Sequence, residues 1–208
     1  MTEKILVFSK KLLDPFPGLD KSTKSLSKVF KDCLPRAYFV PRNEAEKDES
    51  LLQVIPYVVF RDGNHILTYH RTTEGGEDRL HDKYSIGIGG HVNTDDLLKG
   101  VSGPQNIIHG YKCCQELAFV GAVRREIFEE LKMPEIDIVR TKPKMLIYDE
   151  RDDVGRVHLG VVLFAETDAE NVQAGEPEID KVSWKNVSNL RKLGDKLEGW
   201  SQYLIPHL

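Results

Sequence analysis

Cysteine, long apolar runs and an excess of one charge sign are all scarce in this chain of 208 residues. Its three cysteines form no CxxC pair, so neither a disulfide framework nor a structural zinc site is expected. No segment approaches the roughly 18 apolar residues of a membrane-spanning helix, and the first residues lack the features of a secretory signal. A net charge of −4 gives no electrostatic reason to expect a nucleic acid or a membrane as partner. We therefore expect a cytoplasmic protein with reduced thiols.

The length fits one sizeable domain with an appended segment. Residues 1–50 carry short strand and helix signals around a loop with proline and glycine, and they are predicted to form an N-terminal accessory segment. This segment is too short for a large core of its own. Residues 51–208 are predicted to form the main domain.

The order of predicted elements points to an α/β (α+β) sandwich. Two strand-like runs, Tyr57–Phe60 and Ile66–Tyr69, flank an Asp-Gly turn and predict a β-hairpin. A glycine-interrupted strand is predicted over Tyr84–Val92, and interior glycines there indicate close approach of a ligand to the backbone. Further strands are predicted at residues 144–148, 157–165 and 182–184, and helices at 115–132, 189–197 and 200–204.

The predicted helix at 115–132 places three glutamates on one surface. Glu126, Glu129 and Glu130 are three and four residues apart, so their side chains are neighbours. Apolar residues at the same spacing face the other way, towards a core: Val120, Val123, Ile127 and Leu131. Each like-charge pair costs roughly a few tenths of a kcal/mol. Such a cluster suits a hard cation, Mg²⁺ or Mn²⁺, bound by oxygen alone; the alternative is a solvated acidic face.

Two stretches of the sequence together resemble the Nudix box, G-x5-E-x7-R-E-U-x-E-E-x-G-U, in which U is a bulky aliphatic residue. They are Gly89-Gly90-His91-Val92 and, further on, Arg125-Glu126-Ile127-Phe128-Glu129-Glu130. The hairpin, an acidic turn at 149–155 and the late strand also match the layout of the Nudix hydrolase family, over residues 51 to 195. The resemblance implies a Nudix-type α/β/α sandwich of mixed sheets with one catalytic helix.

The box departs from the family pattern in three places. Between Gly90 and Arg125 lie 34 residues, against 13 in the pattern, so an insertion at 93–114 is predicted, in a position to line the substrate pocket. Counted back from Arg125, the first glutamate of the box falls on Leu117, next to Glu116. Lys132 stands where the family has a glycine that supplies a left-handed C-cap.

The resemblance implies metal-assisted hydrolysis of a diphosphate linkage, usually in a nucleoside diphosphate derivative. Mg²⁺ or Mn²⁺ reverses the repulsion between carboxylates and phosphates and activates the attacking water. The implied metal ligands are Glu126, Glu129, Glu130 and the carbonyl of Gly89. Arg125 is expected to position the glutamates by ion pairing. Glu129 or Glu130 is expected to orient the water as well.

Further site residues are less specific in their signal. Glu116 is a candidate metal or supporting residue, or else an acid that interacts with the helix dipole. Glu176 and Glu178 are candidates for an additional late-loop carboxylate, and either is otherwise a solvated loop residue. His91 is a candidate for phosphate contact or a structural role at the strand end. Candidate substrate-binding residues that also read as surface charge are Arg61, His70, Arg71 and Arg79.

Aromatic and cysteine residues add little. Tyr148 and Trp184 are candidates to stack on a base, although aromatics in strands usually belong to the core. Cys113 and Cys114 have no identifiable base partner and receive no role.

Two other functions compete with the hydrolase. A Nudix-fold module that binds a nucleotide-like ligand without cleaving it is kept open by the irregular box, but the intact glutamates favour an enzyme. An isomerase of the isopentenyl diphosphate type would need a cysteine just after the first core strands, where none lies. The expected partner is a small phosphorylated substrate, and a homodimer is expected from the family alone.

Overall fold

A computed structural model describes residues 2–13, 18–74, 80–102, 113–132, 142–151, 153–167, 172, 174–175 and 177–208. Its strands are β1 Lys4–Ser9, β2 Gly18–Asp20, β3 Tyr38–Pro41, β4 Leu51–Asp62, β5 His65–Arg71, β6 Tyr84–Ser85, β7 Gly87–Ile88, β8 Lys142–Tyr148, β9 His158–Glu166 and β10 Ile179–Asn186. Its α-helices are α1 Thr23–Lys28, α2 Arg42–Ala45, α3 Asp96–Ser102, α4 Cys114–Leu131, α5 Val187–Arg191 and α6 Gly199–Leu204. None of these helices combines the length and apolar character needed to cross a membrane.

The described strands form one mixed sheet around the long strand β4. The order β10-β5-β4-β9-β8-β2 runs across the sheet, with β4 and β9 parallel and the other pairs antiparallel. Strand β1 pairs with β3 and with the start of β4, while β6 and β7 add short ladders to β5 and β4. Because side chains alternate along a strand, Val58 and Phe60 enter one core and Tyr57 and Val59 enter the other.

Helices cover both faces of the sheet. The core on one face contains the apolar side of α4, including Phe119, Val123 and Ile127. The core on the other face contains Leu190 and Leu204, from the two C-terminal helices. The predicted α/β/α sandwich is therefore confirmed.

Most predicted elements are present; several strands are longer than predicted, and two elements are shorter. The hairpin is β4 and β5, with Gly63 at positive φ in its turn, and the acidic helix is α4. The glycine-interrupted strand is shorter than predicted, because only β6 and β7 form ladders and residues 89–92 continue without one. The helix predicted at 189–197 ends at Arg191, ahead of the positive φ of Gly194.

The first 50 residues add strands to the same sheet. Strand β1 hydrogen-bonds to β4, with Val7 opposite Gln53, and β2 hydrogen-bonds to β8, with Leu19 opposite Ile147. Val29 and Cys33 are fully buried in the core beside α4. The division into 1–50 and 51–208 remains a prediction about folding units.

The described part of the insertion packs on α4 instead of lining the cleft described below. Helices α3 and α4 touch through glycines: a Cβ on Gly100 would lie 2.0 Å from the carbonyl oxygen of Leu117, and a Cβ on Gly121 would lie 1.8 Å from that of Asp96. Larger residues at either glycine would force the helices apart. The described part of the insertion therefore supports α4, whereas we expected the insertion to line the pocket.

The residue that ends α4 has a strained backbone conformation, and this strain can be tested. Lys132 adopts the left-handed conformation, with φ 48° and ψ 26°, and its N–H donates to the carbonyl of Phe128. A side chain disfavours this conformation by about 1 kcal/mol, so we expect Lys132→Gly to raise the free energy of unfolding by about that amount, measured by urea denaturation. Lys132→Ala keeps the Cβ and removes the charge, so it should bring no gain. An equal gain in both variants would assign the effect to the lysine side chain.

Candidate active site

A cleft of about 720 Å³ opens beside the segment that follows β7. Gly89, Gly90 and His91 form part of its wall, and Glu130 reaches it from the end of α4. Its basic lining residues include Arg42, Arg71, Lys83 and Arg151. Its apolar lining residues include Ile55, Leu80, Val154, Leu197 and Trp200. The cleft thus offers an acidic region, cationic groups and an apolar wall.

Arg125 holds two of the predicted metal ligands together. Its Nη1 lies 2.5 Å from Oε1 of Glu126 and 3.3 Å from Oε2 of Glu129. Because both carboxylate oxygens contact the same nitrogen, the two glutamate side chains lie close together. This agrees with the neighbouring positions predicted for them on the helix. The arginine side chain is 13% exposed, which limits its alternatives.

A fully buried aspartate fixes this arginine. Asp96 accepts from Nε of Arg125 at 2.8 Å and from Nη2 at 3.1 Å, the two-bond geometry that makes Arg–carboxylate pairs strong. The same Nη2 donates to the carbonyl of His91 at 2.7 Å. Because Asp96 and Glu126 outweigh the effect of burial, the pKa of Arg125 lies above its ordinary value.

The sequence analysis missed Asp96. Counted forward from Gly90, five residues intervene before Asp96, which is the spacing of the first glutamate in the box. Counting back from Arg125 leads instead to Glu116, because the surplus residues fall between the two. Glu116 is buried in the first turn of α4, roughly 15 Å along the helix from Glu126 at 1.5 Å per residue. The structure therefore does not bring Glu116 to the cluster.

Glu126 is buried against the backbone of Gly90. A Cβ at position 90 would lie 2.2 Å from Oε1 of Glu126, so only glycine leaves room for this carboxylate. Burial raises the pKa of Glu126, with Glu129 and Asp96 adding to the shift and Arg125 opposing it. A further cation beside this buried carboxylate would stabilise its charged form.

Glu129 and Glu130 differ in exposure. The side chain of Glu129 is 40% exposed and lies 3.5 Å from Nζ of Lys99, whereas Glu130 is buried and lines the cleft. The late segment reaches this end of α4, since the N–H of Gly175 donates to the carbonyl of Glu130 at 2.6 Å. Glu178 lines the cleft as well, while Glu176 lies outside the described residues.

The donor set suits an oxygen-binding cation. Glu126, Glu129, Glu130 and the carbonyl of Gly89 supply oxygen alone, which fits Mg²⁺ or Mn²⁺. Within the described ranges, no three acidic, histidine or cysteine side chains already surround one point as a metal site would. Glu126 and Glu129 are turned to Arg125 instead, and the half-exposed Glu129 is the one that can rotate.

His91 belongs to a buried hydrogen-bond chain in the cleft wall. Its Nε2 lies 2.7 Å from Oε1 of Gln53 and 3.1 Å from Nε2 of His158. Since Nδ1 of His158 donates to the carbonyl of Val154 at 2.6 Å, Nε2 of His158 accepts and Nε2 of His91 carries the hydrogen. Burial is the largest cause that lowers the pKa of His91 well below its ordinary value, and the neighbouring His158, Arg42 and Arg125 lower it further. His91 is therefore a neutral group.

Arg71 lines the cleft and has an N–H group that can still donate a hydrogen bond. Its guanidinium lies 5.4 Å from the ring centre of Tyr69, and Nη2 donates to the Tyr69 hydroxyl at 3.0 Å. Its buried Nε has no hydrogen-bond partner among the described residues. Burial lowers the pKa of Arg71, but Tyr69, Glu130 and Glu198 more than offset this and the arginine stays charged.

Several weaker candidates lie away from the cleft. Arg61 stacks 5.8 Å from the Phe164 ring centre, and Nδ1 of His70 lies 2.7 Å from Asp180. Tyr148 is buried in the core and Trp184 packs on the same core. Both therefore have the core position that is usual for aromatic residues in strands, and neither is placed to stack on a base. Cys113 and Cys114 stand at the start of α4, and Arg79 lies outside the described residues.

The sequence analysis also missed the C-terminal wall of the cleft. Glu198 and Trp200 face it from the start of α6, and Arg151 faces it from the turn after β8. No periodicity or short motif marks these residues, because the sheet brings distant parts of the chain together there.

Comparison with known proteins identifies the family. Residues 50–208 match the family model of the NUDIX domain. Protein YmaB of Bacillus subtilis (strain 168) is 30% identical over 202 residues, covering 96% of this chain and 91% of YmaB. The crystal structure of Tm1382, a candidate Nudix hydrolase, has a TM-score of 0.70 and 26% identity, covering 99% of this chain and 97% of that one.

More distant structures share the fold alone. A bifunctional NMN adenylyltransferase/ADP ribose pyrophosphatase from Francisella tularensis has a TM-score of 0.51 and 18% identity, covering 76% of this chain and 41% of that one. DR0079 from Deinococcus radiodurans has a TM-score of 0.53 and 16% identity, covering 81% and 90%.

The sandwich, the glutamate-bearing helix and the matched sequence define one class of protein. The chain belongs to the Nudix family. This membership confirms the recognition made from the sequence and the predicted enzyme class, a Nudix-type pyrophosphohydrolase.

The buried pair of Asp96 and Arg125 makes a stability prediction. Asp96→Ala leaves a buried guanidinium with one partner fewer, so we expect the free energy of unfolding to fall by about 3 kcal/mol, measured by denaturant titration. Asp95→Ala, which changes the exposed neighbour, should stay within about 0.5 kcal/mol of wild type.

A double variant distinguishes the contribution of the ion pair to the free energy of unfolding from the contribution of side-chain packing. Asp96→Ala with Arg125→Met removes both charges, so its loss should be smaller than the sum of the single losses. If the losses simply add, or if Asp96→Ala behaves like Asp95→Ala, the ion pair does not stabilise the fold.

Proposed function

We propose that the protein is a Mg²⁺- or Mn²⁺-dependent phosphohydrolase that cleaves a diphosphate linkage in a nucleoside diphosphate derivative. One observation carries the proposal. Glu126 and Glu129 share the guanidinium of Arg125, while Glu130 on the same helix end opens into a cleft that Gly89 also lines. This arrangement gathers oxygen donors next to a cavity with room for a nucleotide-sized ligand.

The glutamates and the carbonyl of Gly89 would hold the divalent ion. When bound, the ion neutralises phosphate charge and lowers the pKa of a water molecule. Arg125 orients Glu126 and Glu129, and Asp96 in turn orients Arg125. Glu130, buried at the cleft, is placed to orient the attacking water, with Glu129 as the other candidate.

Cationic groups that line the same cleft suit the phosphates. Arg71 carries an Nε with no described hydrogen-bond partner, and Lys83 and Arg42 line the same cleft. The single N–H of neutral His91 is engaged with Gln53 and His158, and its Nδ1 is an acceptor, so we assign His91 the structural role in the cleft wall. Glu178 is our candidate for an additional carboxylate from the late loop. A small phosphorylated substrate and a cytoplasmic location belong to the same proposal.

The comparisons suggest where to look for a substrate. The Francisella tularensis protein of the same fold is an ADP ribose pyrophosphatase that was crystallised with AMP and a Mn ion. ADP-ribose and Mn²⁺ therefore enter the first assay together with other nucleoside diphosphate derivatives.

The test is to follow, for each panel member, formation of the nucleoside monophosphate and of the phosphorylated second group, with Mg²⁺, with Mn²⁺ and with a chelator. Glu129→Gln keeps the size of the side chain and removes a charged oxygen donor, so we expect kcat to fall by about a hundredfold or more, equivalent to about 3 kcal/mol. Glu126→Gln should act in the same direction. Glu166→Gln, at the exposed end of β9, is the matched control and should retain activity.

The outcomes separate two functions. Turnover that requires metal and is lost in the helix variants supports the hydrolase. Saturable binding of one panel member by a folded protein without turnover would instead support a nucleotide-sensing module.

A further inference from the structure

Trp200 is a fixed aromatic group in the wall of the cleft. Its ring lies 5.4 Å from that of Tyr57, edge on at 74°. On another side it rests on the backbone of β9, since a Cβ at Gly160 would lie 2.9 Å from Cζ3 of the indole. The backbone N–H of Trp200 donates to Oε2 of Glu198 at 2.7 Å. The remaining part of this half-buried residue lines the cleft.

A buried network holds this aromatic group in place. Oε1 of Glu198 accepts from the Tyr57 hydroxyl at 2.6 Å and from the backbone N–H of Ser201 at 2.8 Å. The Ser201 hydroxyl also bonds to Glu198 and accepts from the N–H of Ile86 at 3.0 Å. Glu198 thus caps α6 and joins it to β4 and to the residue between β6 and β7. Trp200 follows two residues later, on a rigid support.

Arg151 is fixed on the same wall. Asp149, which is buried, accepts from Nε of Arg151 at 2.9 Å and from Nη2 at 2.7 Å. The guanidinium also lies 4.8 Å from the ring centre of Tyr203. A Cβ at Gly199 would lie 3.1 Å from Nη2, so the arginine contacts the residue just before Trp200. With 57% of its side chain exposed, Arg151 still presents surface to a ligand.

We propose that Trp200 and Arg151 form a nucleobase subsite of the cleft. Stacking on an aromatic ring stabilises a bound base by about 1–3 kcal/mol and needs a flat heteroaromatic partner. An arginine held in one orientation recognises the acceptor atoms on the edge of such a ring. An alkyl group would use neither property. The inference rests on the proposed function, because it assumes that the diphosphate lies towards Glu130 in the same cleft.

The subsite can be tested without metal or turnover. The chain has two tryptophans, Trp184 and Trp200, so Trp184→Phe leaves Trp200 as the sole indole fluorophore. In a chelator, titration with AMP or GMP should quench this fluorescence in a saturable manner, whereas ribose 5-phosphate should not. Absence of quenching by every nucleotide, or equal quenching by ribose 5-phosphate, would overturn the proposal.

Calorimetric binding to otherwise unchanged protein gives a second measurement. Trp200→Leu should weaken AMP or GMP binding by about 5- to 150-fold, the equivalent of one stacked base. Trp200→Phe should recover most of this loss, because a phenyl ring still stacks. Arg151→Ala should weaken nucleotide binding, whereas Arg191→Ala, at an exposed position at the end of α5, should not. If the leucine and phenylalanine variants bind nucleotides as wild type does, no stacking occurs there.

These results separate the subsite from the hydrolase. Nucleotide quenching in a protein that hydrolyses nothing would keep the subsite and reject the hydrolase. Metal-dependent hydrolysis by a protein whose Trp200 fluorescence and binding variants do not respond would keep the hydrolase and reject the subsite.

Discussion

The buried guanidinium of Arg125 is the interaction on which the arrangement of the site depends. It joins Asp96 from the insertion, the carbonyl of His91 from the segment after β7, and both Glu126 and Glu129 on α4. A buried charge is stable only when its donors are satisfied, so three separate parts of the chain must meet in one geometry. Through Asp96, the start of the predicted insertion is thereby fixed to α4.

Local signals predicted the elements well, because they depend on residues close in sequence. The spacing of apolar residues located α4, the Asp-Gly turn located the hairpin, and replacement of the box glycine by Lys132 pointed to a strained C-cap, which the left-handed conformation matches. Asp96 was missed because counting back across an insertion shifts the register. Once the glycine is taken as the origin, the spacing identifies it.

The cleft residues near the C-terminus could not be predicted from local sequence patterns, for a different reason. Trp200 meets Tyr57 and Gly160, partners that are far away in sequence and become neighbours only through the parallel pairing of β4 with β9. Trp184 looked equally suitable for stacking, yet it packs on the core. Whether an aromatic ring belongs to a core or to a cleft is decided by the packing of the sheet faces, and single-residue propensities do not contain that information.

The glutamates beside the cleft and the aromatic group in its wall are both held firmly. Glu126 is fixed by Gly90 and Arg125, and Trp200 is fixed by Gly160 and the Glu198 network, so neither needs to reorganise strongly when a ligand arrives. Among the predicted metal ligands on α4, Glu129 is the exposed one. Of these three side chains, Glu129 therefore has the most freedom to rotate away from its ion pair. Since rigid groups lose little conformational entropy on binding, a ligand with a charged end and a flat end would gain from both.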